Sequence, residues 1–354
     1  MQIDFHHATT YVVARAAGFD HPEAEIIAYA SEYVDGAISS GPVYFHNQAV
    51  YDRISSAHEM VDARNTKQLA NHRVWMAFHF LPGNGGKEAG DNPGGSFIDK
   101  IICRPNSPIA QEMVRSTIQQ KDRLYGLHRL GVAMHVYADT WAHQGFAGKL
   151  HAVNEVEDLE DTGGSGVFDG LIGNWVRDFL DDVIPPLGHG RASVFPDMPF
   201  LQWEYRNGRG ELIKRDNTED FIEAANHMCM AMQRFIAGDP DASVDGLDEN
   251  TRNKLRELFV ELKEKDGDKR HAEWMRKIRG GFFGFDNAEA LADYRPRGDN
   301  SWKAQALGNS DDLTEYFYRP EFLKSNWKMF HDAIQAHRFH VVHDILPKYG
   351  ICAA

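Results

Sequence analysis

The chain has 354 residues, 42% of them hydrophobic and 11% aromatic, enough to bury a sizeable core in one large or two medium domains. Its 38 Lys and Arg against 52 Asp and Glu leave a formal charge of -14, which argues against a basic groove for nucleic-acid phosphates and against attachment to anionic lipid by charge alone. The cysteines, Cys103, Cys229 and Cys352, stand far apart and exclude a disulfide framework or a Cys-type zinc site.

The N-terminus, MQIDFHHATTYVVARAAGF, has acidic residues and histidines where a secretory signal carries a basic region and then an apolar run. No stretch approaches the length of a membrane span. The default expectation is a cytoplasmic protein, with signal-independent export leaving no trace in such features. A first helix is expected from Phe5 to Ala17, ending at Gly18, with Asp4 and His6 at its start; an Asp there suits an N-cap. Pro22 opens a second helix, HPEAEIIAYASEYVDGA. Asp35 falls near its C-terminal end, where the helix dipole disfavours a carboxylate and invites a compensating cation.

His46 and His58 follow among aromatics, then His72 and His79 around Trp75 and Phe78. His79 precedes a Pro-Gly turn and is expected to be buried at the mouth of a loop. That loop, PGNGGKEAGDNPGG, reads as the most flexible stretch of the chain, of the kind that forms lids, and its glycines fit no phosphate-binding pattern.

A helix from Ser107 to Lys121 leads into LHRLGVAMHVYADTWAHQGF, Leu127 to Phe146, around which the site is expected to form. It has no proline, one interior glycine (Gly131) and apolar residues at three- and four-residue steps, so it reads as a buried helix. His135, Asp139 and His143 stand at i, i+4 and i+8. Each step of four advances roughly 40° round the helix, so the three form one ladder on one face. Buried polar groups need hydrogen bonds or a metal, and three potential ligands in register favour a metal.

Beyond the ladder, His151 and Glu155 at i, i+4 read as a second metal fork or a solvated helix face. A helix is expected over Phe168 to Val183. His189 lies between two glycines, and Asp197 follows in a Pro-Asp turn. Tyr205 to Asp216 reads as a small hairpin. Helices then start at an N-cap Thr218, at Asn250 and at Pro320, the last running to Leu346 with His331, His337, His340 and His343 mostly on its surface or in packing. Residues 266–309, rich in glycine and charge, read as a surface insertion. With strands nearly absent, the class expected is all-α, a multi-helix bundle with one small hairpin.

A His-rich site points to zinc, with manganese or iron as the other metals such ligands accept. An Asp between two His can bridge two metals. The remaining ligands must come from elsewhere, and His6, Asp35, His58, His79 and His189 have suitable surroundings. Bridged metals suit the hydrolysis of phosphate esters.

HVYADTWAHQG resembles the His-x-x-x-Asp-x-x-x-His helix of GPI-specific phospholipase D. With a shorter second spacing it also resembles the corresponding helix of bacterial zinc-dependent phospholipases C and related single-strand nucleases. Those proteins are all-α and hold three zinc ions, so the resemblance implies two or three ions here. Their ligand order would be filled by His6, Asp35, His79 (or His58), His135, Asp139, His143 and His189, with His151 and Glu155 as the alternative to His189 and Asp197. The phospholipases C use the free amino terminus of the mature chain as a ligand; here either Asp4 replaces it or one metal is missing.

A closer resemblance is to an uncharacterised bacterial family of phospholipase-like helical proteins. It is carried by Asp4 to His6, the Tyr11-x-x-Ala14-Arg15 helix, Tyr33 to Asp35, Phe78 to Gly83 and Ala138 to Phe146. It covers residues 1–205, the expected metal-site core, with 206–354 as a helical continuation packed on it. That family carries no established substrate; the likeness to the phospholipases implies a zinc-dependent phosphoric ester hydrolase acting on a phospholipid or small phosphodiester, with Asp35 and Asp4 as catalytic carboxylates. A non-catalytic protein stapled by metal, acting as an interaction partner or toxin-system effector, is the alternative. A metal-free His/Asp network is the third.

Overall fold

A computed structural model of the chain describes residues 1–57, 74–166 and 188–352. The chain enters helix at once: Asp4–Thr9 turns in wide π geometry and runs without a break into α1 (Thr10–Ala17), which Gly18 stops at φ 111°. The Asp20 carboxylate accepts the Glu23 N–H and caps α2 (His21–Gly36), with Pro22 in its first turn. A hairpin of β1 (Gly41–Tyr44) and β2 (Val50–Arg53) follows, and a second π turn, Trp75–His79, precedes the glycine-rich loop. Asn84, buried in that loop, donates to the carbonyls of Lys87 and Asp91, so the loop is tied from within.

After α3 (Phe97–Ile101) and α4 (Pro108–Gln119) comes α5 (Gly126–Ala142), the axis of the molecule. Every residue of α5 from His128 to Ala142 is buried, as expected of a helix apolar on most sides. It packs against α2 and α4 and, from the second half of the chain, against α6 (Asn217–Ala237) and α10 (Asn326–Phe339). The α2–α5 contact depends on Gly131. A Cβ there would stand 2.4 Å from the Ile27 carbonyl oxygen and 2.7 Å from the Ala30 Cβ. Gly131, His135 and Asp139 share one row of α5, and Ile27, Ser31 and Asp35 share one row of α2. The close crossing at Gly131 therefore brings Asp35 to His135 one turn further on.

The all-α expectation is overturned. Beside the first hairpin, β3 (Val156–Asp161), β4 (Gln202–Asn207) and β5 (Leu212–Asp216) form a three-stranded antiparallel sheet. The β4–β5 pair is the expected hairpin; β3 carries no sequence signal of a strand, since VEDLED shows no apolar alternation, and it lies half exposed at the sheet edge. Trp203 and Tyr205 of β4 pack with Phe80, Phe146, Phe195 and Leu201 into a small second core.

Other expectations change as well. Residues 266–309 are not a surface insertion: Trp274 and Ile278 of α8 (Gly267–Arg279) and Trp302 of α9 (Trp302–Leu307) are buried in the main core. α7 (Glu249–Glu261) lies between α6 and α8 in the chain. Asp216, not Thr218, caps α6, and its side chain accepts the Glu219 N–H. Asp4 is not an N-cap, and it makes no such hydrogen bond. His331 and His337 are buried; His337 Nε2 donates to the Ala77 carbonyl and supports the Trp75–His79 turn. The helix expected over Phe168 to Val183, and His58 and His72, lie outside the described residues.

Candidate metal centre

Four elements converge on the lower half of α5. The initial π turn brings His6, the end of α2 brings Asp35, the second π turn brings His79, and a loop before β4 brings His189 and Asp197. π turns are frequent at functional sites because the extra residue re-aims a side chain, and two of the histidines sit on such turns. The ladder itself ends one residue outside the helix, since His143 is the C-cap of α5.

The donors form three groups: His6, Asp35 and His135; His79, His135 and Asp139; His143, His189 and Asp197. Within each, one atom per residue lies within 4.8 Å of the others. His135 belongs to two groups. Asp139 joins all of them: its Oδ2 is 3.4 Å from His135 Nε2, 3.6 Å from His79 Nδ1 and 3.6 Å from His143 Nδ1, and its Oδ1 is 3.2 Å from His6 Nε2. Asp197 meets His143 Nε2 and His189 Nε2 at 3.7 Å each.

Backbone carbonyls fix which nitrogen each ring can offer. His79 Nε2 donates to the Ser56 carbonyl (2.9 Å), His143 Nδ1 to the His79 carbonyl (2.6 Å) and His189 Nδ1 to the Ser193 carbonyl (2.9 Å). A carbonyl only accepts, so in the neutral form of each ring the other nitrogen carries a lone pair, and it faces the cluster. This is the usual outer support of metal-ligating histidines. Nδ1 of His6 and Nδ1 of His135 are buried with neither a hydrogen bond nor an ion-pair contact among the described residues. Orphaned buried polar atoms are costly unless something else satisfies them.

Phe80 closes one side, stacked on His143 with ring centroids 4.5 Å apart. Gly188 makes room for it: a Cβ there would stand 2.2 Å from the Phe80 ring. The glycine before His189 thus serves the ring that holds His143.

One partner carries no side-chain signature. The Met1 amino group is buried, 2.8 Å from Asp139 Oδ1 and 3.2 Å from Asp197 Oδ1. Burial opposes its charge, but Asp139 and Asp197 hold its pKa up to about 11. Burial likewise opposes ionisation of Asp139, yet His143, the Met1 amine, His135 and His6 keep it well below the usual carboxylate range. Asp35 is lowered in the same way by His135 and His79. Burial and His135 push His6 down to about 3, and burial pushes His189 down to about 4.

Of the expected residues, His6, Asp35, His79, His135, Asp139, His143 and His189 are brought together, with Asp197 beside His189. Asp4 is not among them. Its carboxylate takes Arg270 Nε at 2.6 Å and Nη2 at 3.1 Å in a fully buried pair, so the amino group of Met1, not Asp4, stands at the cluster. His151 and Glu155 do not form a fork, because Ala152–Asn154 is a single 3-10 turn leading to a strand; His151 is exposed and accepts the Val153 N–H. Glu32, which no sequence expectation names, lies one turn before Asp35; its Oε2 is buried without a hydrogen bond among the described residues, and burial together with Asp35 raises its pKa well above normal. Its i, i+3 spacing to Asp35 was the available signal.

No helix among the described residues is long and apolar enough to cross a membrane. No curated protein and no solved structure matches the chain. Residues 1–345 match a family model described as a family of unknown function, DUF6765. The chain, spanned almost end to end by that model, belongs to the DUF6765 family.

Proposed function

We propose that the chain is a zinc-dependent hydrolase of phosphate esters, acting on a phospholipid or a related small phosphodiester. The observation that carries this reading is one open carboxylate on an otherwise buried cluster. The Asp35 side chain is 43% exposed, against 2% for Asp139. A structural zinc site is closed by its protein ligands, whereas a catalytic one keeps a position open. Five imidazoles and three carboxylates, without thiolate, suit zinc before the harder cations.

Bound there, zinc would polarise a phosphoryl oxygen and make water a stronger acid. The chain's own residues do the rest. Asp139 would hold zinc together with His6, His79 and His135, whose ring nitrogens face its carboxylate. Asp35, ionised and at the open edge, orients the attacking water and accepts its proton. Phe80 and the ring of His143 exclude solvent from the inner side. Asp4, neutralised by Arg270, has no part in the chemistry and ties the first turn to α8.

The test is hydrolysis of bis(p-nitrophenyl) phosphate and of phosphatidylcholine vesicles by the purified protein, with chelator and then with zinc restored. Activity lost to chelator and regained with zinc supports the reading. A metal-loaded protein inert on both substrates favours a metal that only staples helices.

A further inference from the structure

The backbone that carries Asp35 continues directly into the wall of a second cavity. Gly36, Ala37 and Ser39 line a space of about 320 Å³, and so do Arg53, Arg297 and Lys303. Consecutive Cα atoms are about 3.8 Å apart, so this wall begins one residue from the open carboxylate of the metal centre. Three cations on one small cavity stand out in a chain of charge -14.

Their charges are only partly answered. Arg53 Nη1 and Lys303 Nζ reach the same oxygen of Asp312, at 2.9 Å and 2.8 Å, so one carboxylate serves two cations. Asp311 also lines the cavity, and the lining is still positive, three charges against two. Arg297 is exposed and forms no ion pair among the described residues. The Arg53 side chain is only 12% exposed, and its Nε is buried with no acceptor among the described residues. A buried guanidinium N–H without a partner is costly, and its planar fork matches an oxyanion.

We propose that this cavity is an anion seat. It takes a phosphate-sized oxyanion, the second acidic group of a substrate whose phosphodiester is held at the metal centre. Its size, near the lower end of the roughly 300–1,000 Å³ of small-molecule pockets, suits a compact head group. The substrate role rests on the hydrolase reading; the seat itself does not.

The test follows the Nε–H signals of Arg53 and Arg297 by NMR as inorganic phosphate is added to the metal-loaded protein. Saturable shifts at both arginines are expected, with affinity about tenfold weaker in Arg297→Gln and in Lys303→Gln, the loss of one charge-assisted hydrogen bond. Arg297 is exposed, so its variant folds. Silent arginines, or affinity unchanged in both variants, overturn the seat. Glycerol 3-phosphate and vesicles carrying phosphatidic acid run as parallel arms; a shift with either supports the seat, and the arm that gives it names a soluble or a lipid-borne source. Metal content and hydrolysis are read on the same samples. Arginine shifts in a protein without metal or activity sink the hydrolase reading alone, and silent arginines in an active metalloprotein sink the seat alone.

Discussion

The carbonyl oxygen of Ile27 lies where a side chain on Gly131 would have to begin, 2.4 Å from the Cβ that any other residue would carry. Gly131→Ala must push α2 off α5 or bend both. Overpacking of this kind costs about 1–3 kcal/mol, and here the contact is with backbone that cannot rotate away. The expected result is a lower thermal midpoint by circular dichroism together with weaker metal retention, because Asp35 moves with α2. A variant as stable as the parent would show that the two helices do not cross so closely.

The central ladder was legible because spacing alone placed His135, Asp139 and His143 on one face of a helix whose apolar pattern marked it as buried. His6, Asp35, His79 and His189 were legible as residue types in suitable surroundings, but their convergence is a property of the α2–α5 crossing and of two π turns. No local pattern announces either. The Met1 amine was within reach, since the phospholipases C that the helix resembles use an amino terminus as a ligand, but the expectation put Asp4 in its place or left one metal out. Asp4 was misread because its partner Arg270 lies 266 residues away. The sheet was missed because the charged strand β3 takes its stability from pairing with β4 rather than from an apolar face.

The Asp4–Arg270 pair is buried at both ends, with side chains 1% and 0% exposed. Breaking such a pair from one side costs about 3–5 kcal/mol, since the remaining charge is left without its partner. Asp4→Asn should lower the urea midpoint by a corresponding amount while the folded fraction keeps its metal. Loss of metal at unchanged stability would return Asp4 to the metal centre.

Asp139→Asn keeps the shape of the side chain and removes the charge that His6, His79, His135, His143 and the Met1 amine share. Chelator-sensitive hydrolysis should fall at least about 100-fold, beyond the range typical of losing an outer support, while the helical spectrum survives at low temperature. Wild-type activity would sink the bridging role.

Stability should also fall with acid through three histidines outside the metal groups. Burial lowers His128 to about 4, and burial lowers His331 and His337 to about 3, with Arg53 and Arg129 adding to the last two respectively. Their unfolded pKa is about 6.5. Between these values the unfolded chain binds protons that the folded chain refuses, so the contribution is fully present above the unfolded value and is lost as pH falls toward 3–4. Each contributes a slope of up to about 1.4 kcal/mol per pH unit. Urea unfolding of chelator-treated protein from neutral pH to the acid side measures it, and His331→Gln should flatten the curve. A flat profile across that window would mean that these rings are not buried as neutral groups.

The most direct measurement of the central claim is elemental analysis of protein purified without added metal, paired with thermal unfolding before and after chelation. The three His/Asp groups predict more than one equivalent of zinc per chain and a lower midpoint once it is stripped. A chain that holds no metal, cannot be loaded with zinc and unfolds at the same temperature with or without chelator would contradict the account.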